Sequence, residues 1–245
     1  IQRKFAGFEL HYQPLCQAND LKCIGAEALL RWTDINGKMV PPNILIPILE
    51  ANGMIKNVGS WALDTACKQC AKWISAGASA DFYINVNLSV LQIEDEQFVA
   101  EVMMYIKKHA LSPRNIMLEL TESIFISEKP IFLNIINTLR TNGVRIAIDD
   151  FGTGYSSLSY LRTLPIDKVK IDRFFVREIE NDSVARNILK ATAELVDSMG
   201  FIVCVEGIET AEQLEIIKEM PAHLLQGFFL GKPQRANDFV FIHDI

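Results

Sequence analysis

Strand-like and helix-like segments alternate along almost all of this 245-residue chain, and six of the strand-like ones carry an acid, amide or lysine at or near their downstream end. They are Ile24-Gly-Ala-Glu27-Ala-Leu-Leu-Arg31, Phe82-Tyr-Ile-Asn85-Val-Asn87, Ile116-Met-Leu-Glu119-Leu-Thr-Glu122, Val144-Arg-Ile-Ala-Ile-Asp149-Asp150, Lys168-Val-Lys170-Ile-Asp172 and Phe201-Ile-Val-Cys-Val-Glu206. A carboxylate that follows four or five buried residues stays charged only beside a cation or at a mouth open to water. Acids repeated at strand ends therefore suggest one metal-centred pocket built from many strands.

The strand patterns cover Phe8–Leu15, Lys22–Trp32, Phe82–Leu88, Ile116–Thr121, Val144–Asp150, Lys168–Ile171, Phe201–Val205 and Leu224–Leu230. Amphipathic helical patterns cover Asn43–Ala51, Ser60–Ala76, Asp95–His109, Pro130–Asn142, Ser156–Arg162, Asp182–Met199 and Ala211–Glu219. Parallel neighbours need long crossovers, so eight strands separated by helices predict an α/β fold, a modified (β/α)8 TIM-type barrel. The first connection differs: Gln17–Leu21 is too short for a helix, which predicts a hairpin and one antiparallel strand. Length and a 49% hydrophobic content fit one barrel-sized domain over residues 1–245, and no internal repeat or low-complexity linker interrupts it.

Thirty acidic and 24 basic residues give a net charge of −6, which argues against a DNA or general nucleic-acid backbone binder. A small anionic substrate would need local cations. The five cysteines, Cys16, Cys23, Cys67, Cys70 and Cys204, are odd in number and scattered, as reduced thiols of a cytoplasmic domain are. Cys67 and Cys70 lie in a helical pattern with no second pair to complete a zinc site, so they read as ordinary helix cysteines. No stretch approaches the roughly 20 apolar residues of a membrane span, so no membrane contact is expected of this segment. The first residue is Ile, which suggests a piece of a longer polypeptide with sensory, regulatory or membrane-anchoring parts upstream.

Side chains on a strand alternate faces, so Glu27 shares a face with Arg31, Asn85 with Asn87, Met117 with Glu119 and Ala147 with Asp149. If those faces point into the barrel, Glu27, Asn87, Glu119 and Asp149 converge. Oxygen donors without His or Cys suit a hard cation such as Mg²⁺ or Mn²⁺. Asp150 and Glu206 could hold a second ion, and two ions would serve hydrolysis of a phosphodiester. Taken singly, each acid reads better as a salt-bridged or solvated strand end. Six matched positions make coincidence the poorer account.

At these residues the chain resembles the EAL-domain family of bacterial cyclic di-GMP phosphodiesterases. The resemblance is carried by Glu27-Ala-Leu-Leu-Arg31, with Tyr12-Gln-Pro14 before it, then Val86-Asn-Leu-Ser89, Glu119-Leu-Thr-Glu-Ser123, Asp149-Asp-Phe-Gly-Thr-Gly-Tyr-Ser-Ser-Leu158, Val169-Lys-Ile-Asp172, Glu206-Gly-Ile-Glu209 and Gln226-Gly227. It implies a barrel with one antiparallel strand and hydrolysis of cyclic di-GMP to linear pGpG. Glu27, Asn87, Glu119 and Asp149 match ligands of a first metal, with Asp149 bridging to a second ion that Asp150 also holds. Lys170 matches a lysine on the attacking water, and Glu206 a carboxylate that serves that water or acts as base. Gln13, Arg31, Glu209 and Gln226 match substrate-binding positions, with Arg31 on a phosphate. Glu122 matches an anchor for the loop after Asp150, and the segment beyond that loop implies a homodimer.

Among several carboxylates Lys170 should stay protonated and act as a donor rather than a base, although an ion pair with Asp172 would also account for it. Glu206 is the better proton acceptor. The chain departs from the family pattern at Thr33–Gly37, at Leu49 and at Val205, which puts the guanine pocket and the placement of Glu206 in question. Two rival readings stand beside the hydrolase. One is a catalytically inactive EAL-type cyclic di-GMP receptor or protein-interaction module, which would be expected to have lost ligands; the other is a one-metal barrel lyase using Lys170 as base.

Overall fold

The computed structural model describes residues 5–95, 97–122, 130–152 and 161–241. Its strands are β1 (Phe8–Gln17), β2 (Cys23–Thr33), β3 (Met39–Val40), β4 (Tyr83–Asn87), β5 (Ile116–Thr121), β6 (Arg145–Phe151), β7 (Lys168–Ile171), β8 (Ile202–Val205), β9 (Leu224–Leu225) and β10 (Gln234–Arg235). Eight of them close a barrel in the order β1, β2, β4, β5, β6, β7, β8, β9 and back to β1. Strand β1 runs antiparallel to both its neighbours, β2 and β9, while the other six junctions are parallel. The short first turn forces this reversal, because five residues cannot carry the chain back across the sheet. The two-residue strands β3 and β10 add short antiparallel pairings to β2 and β1 and show no pattern in the sequence.

Most predicted elements form with shifted ends. The helix expected over Ser60–Ala76 runs Ile55–Ser75, and that expected over Asp95–His109 runs Phe98–Lys108, preceded by a short helical turn, Val90–Ile93, that was not expected. The last strand was expected to reach Leu230 but stops at Leu225, because Gly227 packs flat on the Ile208 backbone: a Cβ there would lie 2.1 Å from the Ile208 carbonyl oxygen. Most of the predicted helix Ser156–Arg162 lies outside the described residues.

The main core fills the space between barrel and helices. Along helix Ile55–Ser75 the buried side chains Val58, Ala62, Ala66, Cys67, Cys70 and Trp73 recur at helical spacing and face the strands. Cys67 and Cys70 are thus packing residues, and all five thiols are free and buried. Inside the barrel two small apolar groups form the floor: Leu15, Cys204 and Leu224, and Tyr83, Met117 and Ala147. The period-two alternation that puts these residues inward also puts polar residues two positions away inward, nearer the mouth: downstream on the parallel strands, upstream, at Gln13, on the reversed β1. No helix of the described residues is long and apolar enough to cross a membrane.

Candidate metal centre

The barrel delivers the predicted residues to one place. Cross-strand register sets Gln13 opposite Glu27, Glu27 beside Asn85, and Asn87 beside Glu119. Lys170 stands at the centre, 1% exposed, with its Nζ 3.2 Å from Glu27 Oε2, 3.0 Å from Glu119 Oε2, 2.9 Å from Asp149 Oδ1 and 2.7 Å from Glu206 Oε1. Its ammonium has three protons for these four oxygens. Asp149 Oδ1 accordingly is buried and accepts no hydrogen bond among the described residues, although it lies in the ion pair. Asp172 is not Lys170's partner: its carboxylate accepts from the backbone N–H of Phe174 at 2.8 Å and caps the turn Arg173–Phe175.

Glu27, Glu119 and Asp149 each present an oxygen within 4.8 Å of the others, and so do Asp149, Asp150 and Glu206. Asp149 belongs to both groups. Alternation alone would send Asp150 to the opposite face from Asp149. The strand register breaks between Ile148 and Phe151, and Asp150 takes a left-handed backbone with φ of 54°, which turns its carboxylate toward the mouth. The irregularity is what lets two adjacent acids serve one cluster.

Five carboxylates face two ammonium groups, Lys170 and Lys168, so the fully ionised cluster would carry a formal charge of −3. Protonation reflects that excess. Burial, reinforced by Glu27 and Asp149, pushes Glu119 up to about 8. Burial and the neighbouring Asp149 push Asp150 up to about 6, and Glu206 is raised well above the usual carboxylate range by burial and Asp149. Glu27 goes the other way. Burial opposes its charge, but Lys170 and hydrogen bonds from Gln226 and Asn87 outweigh it and hold Glu27 low. Lys170 is raised well above its ordinary value because Asp149, Glu119, Glu206 and Glu27 overcome the effect of burial. An all-oxygen donor set with too few cations and an orphaned carboxylate oxygen fits hard divalent ions, which would displace the protons.

Supporting contacts fix the ligands. Asn87 Nδ2 donates to Glu27 Oε1 at 2.8 Å, and Gln226 Nε2 donates to Glu27 Oε2 at 2.8 Å and to Gln13 Oε1 at 3.3 Å. Gln13 in turn donates to the Gly231 carbonyl at 3.1 Å. Glu122 is buried, and its Oε2 accepts from the Gly152 N–H at 2.9 Å, tying β5 to the start of the segment after Asp150. Gly207 has φ of 77°, and a Cβ there would lie 2.2 Å from Arg173 Cβ, so the chain leaving Glu206 is pinned against that turn.

Two hollows flank the cluster, and Glu27 lines both. The larger, about 690 Å³, is bordered by Arg31, Glu50, Asn87, Asp149 and Asp150. The smaller, about 150 Å³, is bordered by Gln13, Glu206, Glu209, Gln226 and Phe228. Every predicted site residue except the loop anchor Glu122 therefore borders a hollow or contacts the cluster. The sequence departures lie apart from it. Leu49 packs among Leu45, Ile55 and Val58, leaving Glu50 to face the cleft and accept from Ser89 Oγ at 2.7 Å. Val205 packs in the outer core, on the face opposite Cys204, and neither residue lines a hollow. Residues 34–38 form a turn in which Asp34 Oδ1 accepts from the N–H groups of Asn36 and Lys38. Two interior residues had no assigned role, Asn85 and Lys168; both share an inward face with a predicted residue, which was the available signal.

This barrel and cluster define an EAL-type architecture, and the comparisons agree. The chain belongs to the EAL domain family, which it matches over residues 1–233. It is similar to the bifunctional diguanylate cyclase/cyclic di-GMP phosphodiesterase MucR of Pseudomonas aeruginosa, at 40% identity over 231 residues, 94% of this chain and 34% of that protein. It is also similar to cyclic di-GMP phosphodiesterase PA2567 of the same organism, at 33% identity over 227 residues, 93% of this chain and 38% of that protein. Among solved structures, the MucR phosphodiesterase in complex with c-di-GMP superposes with a TM-score of 0.90 at 39% identity, covering 98% of this chain and 96% of that one. The chain spans about a third of the length of the curated relatives it matches.

Proposed function

We propose that this domain hydrolyses cyclic di-GMP to linear pGpG with the help of two divalent cations, Mg²⁺ or Mn²⁺. The observation that carries the reading is the cluster itself: two acid groups sharing Asp149, gathered round Lys170, with a cleft on either side. Glu27, Asn87, Glu119 and Asp149 would hold one ion, and Asp149, Asp150 and Glu206 the other. Bound ions would supply Lewis acidity toward the phosphodiester and make water a nucleophile near neutral pH.

The chain's own groups do the rest. Lys170, kept protonated by its neighbours, can only donate, so it orients the attacking water rather than deprotonating it. Glu206 sits at the mouth with its side chain 16% exposed and accepts the proton. Arg31 lines the larger cleft, where its cation answers a phosphate of the substrate. Gln13, Glu209 and Gln226 border the smaller one and offer amide and carboxylate partners to a guanine edge. Glu122 holds the loop after Asp150. In the full protein the domain works in the cytoplasm as a homodimer beneath sensory or regulatory segments.

Incubating the purified domain with cyclic di-GMP and Mn²⁺ and following nucleotides by chromatography tests the reading. Linear pGpG should accumulate and chelator should stop it. Tight binding with the ring intact over hours would replace the enzyme with a receptor.

A further inference from the structure

Below the acid cluster lies a second polar layer that the proposed chemistry leaves unused. Asn85 on β4 and Lys168 on β7 are both 0% exposed and point into the barrel. Asn85 Nδ2 donates to Glu119 Oε1 at 2.6 Å, and Lys168 Nζ stands 3.8 Å from that same oxygen. The other oxygen, Oε2, meets Lys170 at 3.0 Å. The Glu119 carboxylate is therefore divided, one oxygen held from the floor and one turned toward the cluster.

Packing does not explain this layer. Asn85 Oδ1 and Lys168 Nζ are buried and take part in no hydrogen bond among the described residues. The adjoining floor of Tyr83, Met117 and Ala147 gives Lys168 the face of the Tyr83 ring, 5.6 Å from Nζ, and no hydrogen-bond acceptor among the described residues. A buried polar atom left unpaired is costly, so Leu or Met would serve a purely structural role better. What both side chains have in common is Glu119 Oε1.

We propose that Asn85, backed by Lys168, is a positioning residue that fixes the Glu119 carboxylate with Oε2 alone facing the acid cluster, and so sets the cluster's affinity for divalent cations. The inference rests on Glu119 being a metal ligand. Asn85 is neutral, so it acts through orientation: a carboxylate tethered at one oxygen cannot swing away, and its free oxygen is already aimed before an ion arrives. Outer partners of this kind typically change metal affinity by 10- to 100-fold.

Asn85→Leu removes the donor while keeping the branching and heavy-atom count of the side chain. Titration calorimetry of chelator-stripped protein with Mn²⁺ should show half-saturation raised by about 10- to 100-fold. At saturating Mn²⁺ the KM for cyclic di-GMP should stay that of the wild type. Crystals of the metal-free variant should show the Glu119 carboxylate turned from its present position. Lys168→Met should shift Mn²⁺ binding the same way by less, and Asn85→Ala provides the comparison should Leu prevent folding. Unchanged Mn²⁺ half-saturation with Glu119 unmoved overturns the proposal, even if the melting temperature falls. A wild-type protein that binds no Mn²⁺ would overturn the metal reading instead, and the Glu119 position in the variant crystals would still decide whether Asn85 tethers it.

Discussion

Replacing Lys170 with Met probes the cluster as a charge balance. The ammonium lies 2.7–3.2 Å from four carboxylate oxygens, and each such pair has a gross attraction of about 5 kcal/mol at an effective dielectric of about 20. Most of that is offset by desolvation, and removing one partner of a buried ion pair costs a net 3–5 kcal/mol. Urea unfolding at pH 8 in chelator should therefore show Lys170→Met destabilised by about 3–5 kcal/mol, within the stability of an ordinary domain. In saturating Mn²⁺ the ions replace the missing positive charge, and the loss should shrink to about 1–2 kcal/mol, the worth of the hydrogen bonds. The wild type should gain less from Mn²⁺ than the variant does. Turnover at saturating metal should fall by roughly 10²–10⁴, as for a polar group positioned on the attacking water, with KM little changed. An equal loss of stability with and without Mn²⁺ would mean that lysine and metal do not share the same carboxylates, and the account of the cluster would fail.

Four further outcomes follow from the same geometry. Glu119 at about 8 and Asp150 at about 6 lie above their unfolded values, so the metal-free protein should lose stability as pH rises from about 4 to 8, while Mn²⁺ affinity rises over pH 6–8 with proton release; a pH-independent Mn²⁺ calorimetric titration would contradict this. Glu122→Ala should lower turnover and raise the metal concentration needed, because the Gly152 N–H loses its acceptor; unchanged metal dependence would show that the loop is held elsewhere. Gly152→Ala puts a methyl 2.4 Å from the Phe175 ring at φ of 92°, and should cost about 1–3 kcal/mol in urea unfolding together with turnover; wild-type stability would refute the strain. Arg31→Ala should raise KM and spare kcat, and a pure kcat effect would remove Arg31 from substrate binding.

The parts of this site that follow local rules were legible before the structure. Period-two alternation brought Glu27, Asn87, Glu119 and Asp149 to one face because β2, β4, β5 and β6 are regular there, and the short turn after Gln17 announced the antiparallel hairpin. Asp150 was offered as a second-ion ligand and matched by its motif, although alternation turns it away from the face of Asp149; a register break is a tertiary event with no signal in a run of β-branched residues. Lys170 was expected among several carboxylates, with a pair to Asp172, two residues on, as the alternative; which carboxylates they are, from β2, β5, β6 and the end of β8, only barrel closure supplies. Asn85 and Lys168 escaped for the same reason: each looked like the neighbour of an important residue until the floor of the barrel set them under Glu119.

The hairpin has one more consequence, for how the chain arrives. In a barrel whose first strand runs with the rest, the polypeptide enters at the closed end, far from the mouth. Here β1 runs backward, and Phe8 pairs with Trp32, one residue past Arg31 at the downstream end of β2. Phe5 packs on Trp61 beside it, at the start of the helix whose Val58, Gly59 and Ala62 border the larger cleft. The entry point and the substrate's doorway are thus the same rim, and a module joined ahead of Phe5 would need no relay through the barrel to cover or uncover that doorway.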